Sequence, residues 1–521
     1  MSDGWALKLG YEYDQEGVPE TVVVAASSPA ARVRQWAEGI VLTRPFGTLL
    51  VAGLAAFAVY VVGFTIPYSL AAGIEQPLLQ FTRITGPSFG PTIGLLVALG
   101  VLFATYATAV RVCLQLEGSR RAVAAVVLLG GIAAIALLPM YPVFSLDIFY
   151  YMSADRIWSV FHENPFVVPP LQAANDPFFP YTSWGHYPLP YGPLWPWITQ
   201  STSALGEGQV GPTLVAFKAL GVGGYLACLP LVYWALSRLA PDRRLTGLCI
   251  FAWNPLVLLE LAGAGHNDAV ALVPAALALG FWSRRWSVAS TGTAMVSFLT
   301  KATVVVLAPA LCWPSFRRAL EEQTLLRWLA LHAGVAGALY VVAWQPFWGD
   351  GRSAGFLREA DQYYDSLTML LMTAAPASLH DVAPRAIQAV LVLGFAVFYL
   401  QQLRATRDQG KDILRVMWRV SVLYFLVISP FYSAWYMAWP TLVSALIAER
   451  RTTILTALLC IGAFGTYLVQ FVLRPIAMPT VSWTEINAIG LAVAAGPFLL
   501  GLWALQPRRQ AALALAATAE A

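Results

Sequence analysis

The chain has 521 residues, of which 58% are hydrophobic and only 12% charged, and its mean hydropathy is +0.64. This is far too apolar for a soluble domain of ordinary composition, and a formal net charge of +4 is too small to argue for nucleic acid as a partner. The five cysteines, Cys113, Cys228, Cys249, Cys312 and Cys460, lie scattered in apolar runs without paired spacing, which gives no sign of a disulfide framework or a zinc site.

The first 44 residues are polar and contain no apolar core of leader type, so no signal peptide is expected. Within them Val33, Trp36, Ala37 and Ile40 recur at helical spacing beside Arg32 and Arg34, the pattern of a short helix on the cytoplasmic surface. Residues 1–28 read equally as a disordered tail. Apolar runs then recur near 45–67, 91–112, 122–140, 212–239, 245–260, 268–282, 287–300, 302–315, 327–347, 384–403, 414–431, 434–448, 453–473 and 486–505. Helices satisfy their own backbone groups in lipid, so these about 14 segments predict an all-α polytopic membrane bundle crossing about 30 Å of hydrocarbon. Several of the middle ones are short, as expected of re-entrant pairs or of helices around a cavity.

Cations orient the bundle. With the N-terminus in the cytoplasm, roughly 24 of the 32 Lys and Arg residues fall inside and about 8 outside, a strong bias under the positive-inside rule. Both termini are then cytoplasmic: a tail over 1–44, one membrane domain over 45–505 and a second tail over 506–521. The loops 141–211, 259–267, 348–383, 431–436 and 474–485 face outward, which implies the plasma (inner) membrane.

Most of the unusual residues lie in those outer loops. Directly after the third apolar segment, Asp147 to Trp158 reads as an amphipathic helix along the outer interface, with Asp147, Tyr151 and Asp155 on one face by i, i+4 spacing. A carboxylate so placed could serve as a general base, but on residue type alone Asp147 reads first as a helix start, where a carboxylate caps free N–H groups. Asn164-Pro165-Phe166 and Tyr187-Pro188-Leu189-Pro190-Tyr191-Gly192-Pro193-Leu194-Trp195 cannot continue a helix and predict a stiff, aromatic-lined wall. Such a wall fits a sugar face or a lipid head, or else a lid that touches nothing.

Farther along, Trp253-Asn254-Pro255 leads to Glu260 and then to Gly265-His266-Asn267-Asp268, four polar groups between two apolar helices. A charge at bilayer depth costs about 3 kcal/mol on insertion scales, so these residues need partners or a wet cavity. Glu260, His266 and Asp268 suit a sugar's hydroxyls, Asn267 suits a sugar or a cap on the next helix, and His266 with Asp268 is too sparse for a metal site. Lys301 interrupts another apolar run, where its ammonium either neutralises a phosphate or snorkels at a hairpin tip. In the loop 348–383, Arg352 and Arg358 are rare outer cations that suit phosphate, or salt bridges to Asp350, Glu359 and Asp361. Phe431 to Pro440 supplies a further aromatic edge, read as an interfacial belt.

In this order, Asp147, Asp155-Arg156, Asn164-Pro165-Phe166, Tyr191-Gly192-Pro193-Leu194-Trp195, Asn254-Pro255-Leu256, Gly265-His266-Asn267-Asp268, Lys301 and Trp435-Tyr436 resemble the polyprenyl-phosphate-mannose-dependent mannosyltransferases of the GT-C superfamily. The likeness is closest to bacterial alpha-1,6-mannosyltransferases that build lipomannan-type glycans, and it covers roughly residues 122–448. It implies transfer, with inversion, of a mannosyl residue from a polyprenyl-phosphate-sugar donor to a glycan or glycolipid acceptor outside the cytoplasm. Asp147 matches the general base and Arg156 the arginine of the same loop helix, a candidate with Lys301, Arg352 and Arg358 for the donor phosphate, while Tyr151, Asp155 and Tyr191 join Glu260, His266, Asn267 and Asp268 as candidates for the sugar or acceptor. Two features depart from the pattern: two helices precede the one before Asp147, and Leu146 and Ile148 stand where a second acid often sits. A lipid phosphate is already a good leaving group, so one base and a few cations suffice, and no cofactor is called for. A lipid-linked glycan flippase is the competing class; it predicts charged residues on broken helices at the membrane midplane and internal repeats.

Overall fold

A computed structural model describes residues 44–506 apart from 80, 87–88, 349–363, 375, 377, 379–382 and 407–409. The chain divides into two units, Met1–Thr43 with Leu502–Ala521 and Arg44–Gly501, and the second carries both clefts discussed below. The interfacial helix expected near Val33 to Ile40 and residues 507–521 of the C-terminal tail lie outside the described residues.

The described residues are helical without strands; their β pairing is limited to isolated bridges, Ser69 with Met140 and Tyr364 with Phe431. In chain order the helices used below are α1 (Pro45–Val59), α2 (Phe89–Gln115), α3 (Arg120–Ala136), α4 (Asp147–Ser159), α5 (Leu194–Ala204), α6 (Val210–Leu239), α7 (Arg244–Ala252), α8 (Asp268–Ser283), α9 (Ser287–Thr300), α10 (Ala308–Glu321), α11 (Leu325–Trp344), α12 (Ala383–Arg404), α13 (Lys411–Leu423), α14 (Ala438–Ile447), α15 (Arg450–Leu468) and α16 (Trp483–Ala504). Every apolar run of the sequence falls on a helix. Among the described residues seven helices are long and apolar enough to cross a bilayer, or eight if Pro241–Ala252 and Pro255–Gly263, bent by 48°, form one span. The expected count of about 14 crossings is therefore not confirmed. With 16 and 10 residues, α8 and α14 fall short of the ~20 that a crossing needs, and most of their side chains are buried inside the bundle.

The outer helices turn apolar side chains outward, with Leu326 84%, Val390 70% and Leu393 67% exposed. Water would not tolerate such a surface, whereas lipid does. Inside, small residues set the helix spacing. A Cβ on Gly221 of α6 would lie 2.5 Å from the Leu261 carbonyl, one on Gly224 2.6 Å from that of Ala269, and one on Gly280 of α8 1.9 Å from the Trp234 ring. These contacts lay α6 and α8 side by side in the same direction from the Asp268 level. Helix α9 then returns along α8, with Ser290 and Ser297 hydroxyls donating to the Ala278 and Ala271 carbonyls at 2.9 and 2.7 Å, so Lys301 comes back beside Asp268.

The bend between α7 and the Pro255 segment has a local cause. Asn254 Oδ1 accepts from the backbone N–H of Leu256 (2.9 Å) and Val257 (3.3 Å), and Pro255 occupies the first helical position, so one helix ends and another starts at this step. A π-helical turn, Leu258–Gly263, then turns Glu260 inward, and Gly265 takes φ +75° to bring His266 to Asp268 to the same end of the bundle.

Candidate active site

Asp147 opens α4 but does not cap it. The N-cap position belongs to Leu146, and no side-chain capping bond is made. Instead Asp147 Oδ1 accepts from Trp184 Nε1 at 3.2 Å, and its own backbone N–H donates to Ser145 Oγ at 3.3 Å. The carboxyl is half-buried at the lip of a cleft of about 1010 Å³, open mouth included, with Trp184, Tyr364, Asp365, Trp435 and Arg474 among its walls. Burial pushes the Asp147 carboxyl up to about 6, opposed by the nearby Lys301 ammonium and by the Trp184 and Ser145 hydrogen bonds.

Against the cleft lies a largely buried polar network. Lys301 Nζ donates to Asp268 Oδ2 at 2.6 Å and to Asn267 Oδ1 at 2.9 Å, and it lies 5.3 and 5.4 Å from the ring centres of Tyr191 and Tyr436. Asp268 Oδ1 accepts from Trp439 Nε1 at 2.7 Å. Tyr151 OH donates to Asn267 Oδ1 at 3.4 Å and stands 3.3 Å from His266 Nδ1. The His266 ring stacks on Trp435, 3.9 Å between centres, while its Nε2 lies 3.1 Å from Glu260 Oε2. Burial, and secondarily the Lys301 charge, holds the His266 pKa well below its usual value. Among the described residues no group of three His, Cys, Asp or Glu side chains is arranged to hold a metal.

The sequence-expected residues thus divide by place. Asp147, Tyr151, Tyr191, Glu260, His266, Asn267, Asp268 and Lys301 come together at one end of the bundle. Asn267 spends its side chain on Lys301 and makes no cap for α8; Lys301 is buried in an ion pair and does not snorkel. Arg156 does not line the cleft: its Nε donates to both carboxylate oxygens of Asp176 (2.8 and 2.7 Å) and its guanidinium covers the Phe178 ring at 4.3 Å. Asp155, on the same α4 face, accepts from Thr199 on α5 at 2.6 Å and from Ser159 at 3.0 Å, tying the loop helix to α5. Arg352 and Arg358 lie outside the described residues.

Three groups of the cleft escape a reading by sequence. Asp365, at φ +44°, is buried at its base, with Gln470 Nε2 donating to Oδ2 and the Asp365 backbone N–H donating to Asn487 Oδ1 at 3.0 Å; burial pushes its carboxyl up to about 7. Arg474 sits at the end of a long apolar run, where a single cation reads as a membrane-edge residue. Trp184 gives no pattern of its own, although the proline-rich wall around it does. Tyr432 OH and Trp435 Nε1, both buried in cleft-lining residues, have no hydrogen-bond partner among the described residues. Buried donors of this kind need acceptors, and a hydroxyl-rich ligand supplies them.

The fold and site define a polytopic helical membrane protein with a half-buried carboxylate in an aromatic cleft, backed by a lysine-centred network. The family model described as "Alpha-(1->6)-mannopyranosyltransferase, N-terminal domain" matches residues 46–317, more than half of the chain, and the chain belongs to that family. It is 27% identical over 350 residues to alpha-(1->6)-mannopyranosyltransferase A of Mycobacterium tuberculosis, covering 61% of this chain and 64% of that protein. To alpha-(1->6)-mannopyranosyltransferase A of Corynebacterium glutamicum it is 25% identical over 244 residues, 42% of this chain and 47% of that protein. The matches thus span less than two thirds of the length of these relatives.

Proposed function

We propose that this protein is an inverting mannosyltransferase that uses a polyprenyl-phosphate-mannose donor and a glycan or glycolipid acceptor on the extracytoplasmic side of the plasma membrane. Asp147 carries the reading. It is a half-buried carboxylate lining the cleft, it is held by Trp184 and makes no helix cap, and burial lifts its pKa to about 6. Family membership and the mannosyltransferase names of the relatives support the sugar.

In the proposed step the acceptor hydroxyl attacks the anomeric carbon while Asp147 takes the hydroxyl proton. The new C–O bond forms as the bond from that carbon to the phosphate oxygen breaks, and the lipid phosphate leaves with the electron pair. We assign the departing charge to Arg474 in the cleft and to Arg352 and Arg358, and the steering of the Asp147 charge to Lys301. Glu260, His266, Asn267, Asp268 and Tyr151 hold Lys301 and Trp435 in place from behind; Tyr191 covers the lysine. Asp155 and Arg156 brace the loop. Of the domain divisions we retain one membrane catalytic domain over 45–505.

The test is transfer from polyprenyl-phosphate mannose by protein reconstituted in liposomes. Asp147→Asn keeps the Trp184 hydrogen bond but not the basicity, and a loss of about 10²–10⁴ in rate is expected with donor binding retained. Unimpaired transfer by that variant refutes the assignment.

A further inference from the structure

The helices that carry Asp268 and Lys301 at one end of the bundle carry arginines at the other. Helix α8 leaves Asp268 and ends at Ser283, Arg285 makes the turn, and α9 starts at Ser287 on its way back to Lys301. At this far end a second cleft, of about 860 Å³ with its open mouth, is lined by Arg238 from the last turn of α6, Arg285 from the turn and Arg318 from α10, over an apolar floor that includes Trp282.

Three observations on this cleft agree. Its lining contains no carboxylate among the described residues, and the side chains of Arg238, Arg285 and Arg318 make no hydrogen bond or ion pair with a described residue. Their neighbours behave otherwise. Arg284 donates to the carbonyls of Trp234 and Gly280 at 3.0 Å each and covers the Trp234 ring at 3.7 Å, while Arg317 reaches Glu321 at 3.5 Å.

Arg285, moreover, sits at φ +63°. The Trp286 N–H donates to the Phe281 carbonyl at 3.0 Å and the Arg285 N–H to that of Trp282 at 2.9 Å, the left-handed helix end that glycine normally fills. A side chain with a Cβ is strained there, so a guanidinium stands where stability alone favours glycine. Finally, α9 begins at the cleft without a side-chain cap, and Ser287, its first residue, lines it. Its first N–H groups and its dipole therefore also favour an anion.

Three arginines line one cleft with no carboxylate among its described residues, and the ligand that suits them best is tetrahedral, with several oxygens for paired N–H donors. We propose that this cleft is a binding site for a phosphate-bearing anion, either the headgroup of an anionic lipid or a soluble phosphate. The apolar floor, at the end of the helices opposite the proposed catalytic cleft, suits a headgroup whose chains run along the bundle.

Thermal unfolding of the full chain in neutral detergent, at fixed ionic strength, distinguishes the cases. Dioctanoyl phosphatidylglycerol is expected to raise the unfolding midpoint in a saturable way, as a ligand of the folded state must, and dioctanoyl phosphatidylcholine to leave it unchanged. Arg285→Gly removes one guanidinium while placing glycine where the backbone favours it. Its midpoint without ligand should equal or exceed that of the wild type, so misfolding cannot account for a loss of binding. Apparent affinity is expected to fall roughly tenfold or more in this variant and to vanish when Arg238→Gln and Arg318→Gln are added. Competition by millimolar inorganic phosphate would assign the site to a soluble phosphate, and its absence to a lipid headgroup; both keep the site. An equal response to phosphatidylcholine, or undiminished affinity in Arg285→Gly, overturns it.

Discussion

At the scale of single residues, the ionisation of Asp147 sets the expected pH behaviour. Burial lifts its carboxyl to about 6, so in the folded protein the proton is held to a higher pH than on a free aspartate. A base must be ionised to act. Below about 6 the carboxyl is protonated and transfer should fall about tenfold per pH unit, whereas above it the rate should reach a plateau. Trp184 and Lys301 both favour the carboxylate, so the limb should rise in pH when either is removed. Trp184→Phe deletes only the indole N–H and keeps the ring. The acid limb of kcat/KM, followed in liposomes across pH 5 to 8, is expected to move upward in that variant; a limb unaffected by Trp184→Phe would separate the titration from Asp147.

At the scale of elements, the loop that carries Asp147 is registered against the bundle by a close backbone contact. The Gly192 N–H donates to the Thr300 carbonyl at 3.1 Å, and a Cβ on Gly192 would lie 2.0 Å from the Leu299 carbonyl oxygen. Thr300 precedes Lys301, so the Tyr187 to Trp195 wall and the lysine are placed by the same contact. Gly192→Ala must push these two backbones apart, at about 1–3 kcal/mol, and displace Tyr191 from Lys301. A transfer rate lower by about a hundredfold is expected, the usual consequence of a misplacement near 1 Å. Gly223→Ala on α6 is the control: its Cβ meets nothing within 4 Å, and stability and rate should be unchanged. This contact also marks how far the sequence could be read. The proline-rich wall and the helix starting at Asp147 are local, set by residues that break or start helices, and both were legible. The partners of Asp147 and Lys301 were not. Trp184, Trp439 and Asp365 reach the cluster from distant segments, and no periodicity encodes which indole finds which carboxylate.

At the scale of the whole molecule, hydropathy revealed that the chain is a helical bundle but not how many of its helices cross. A 16-residue helix wrapped in protein and a 21-residue helix facing lipid are both apolar runs in the sequence; length and exposure separate them only in three dimensions. The cation bias makes a separate statement, about which end faces the cytoplasm. Under the positive-inside expectation the Arg238, Arg285 and Arg318 end would lie inside and the Asp147 end outside, the arrangement that the proposed lipid-phosphate donor requires. Four of the five native cysteines are buried, and Cys312 is partly so, which gives a low background for thiol labelling. His186, in the loop beyond Asp147, and Glu322, after α10, are both exposed. In intact cells a membrane-impermeant maleimide should label His186→Cys and leave Glu322→Cys unlabelled until the membrane is permeabilised. The reverse pattern would put the cleft on the cytoplasmic side, where a base and phosphate-binding cations would have to serve a donor presented from within. The extracytoplasmic reading would then fail even if Asp147→Asn abolished transfer, because the identity of the base and the side on which it works rest on different evidence.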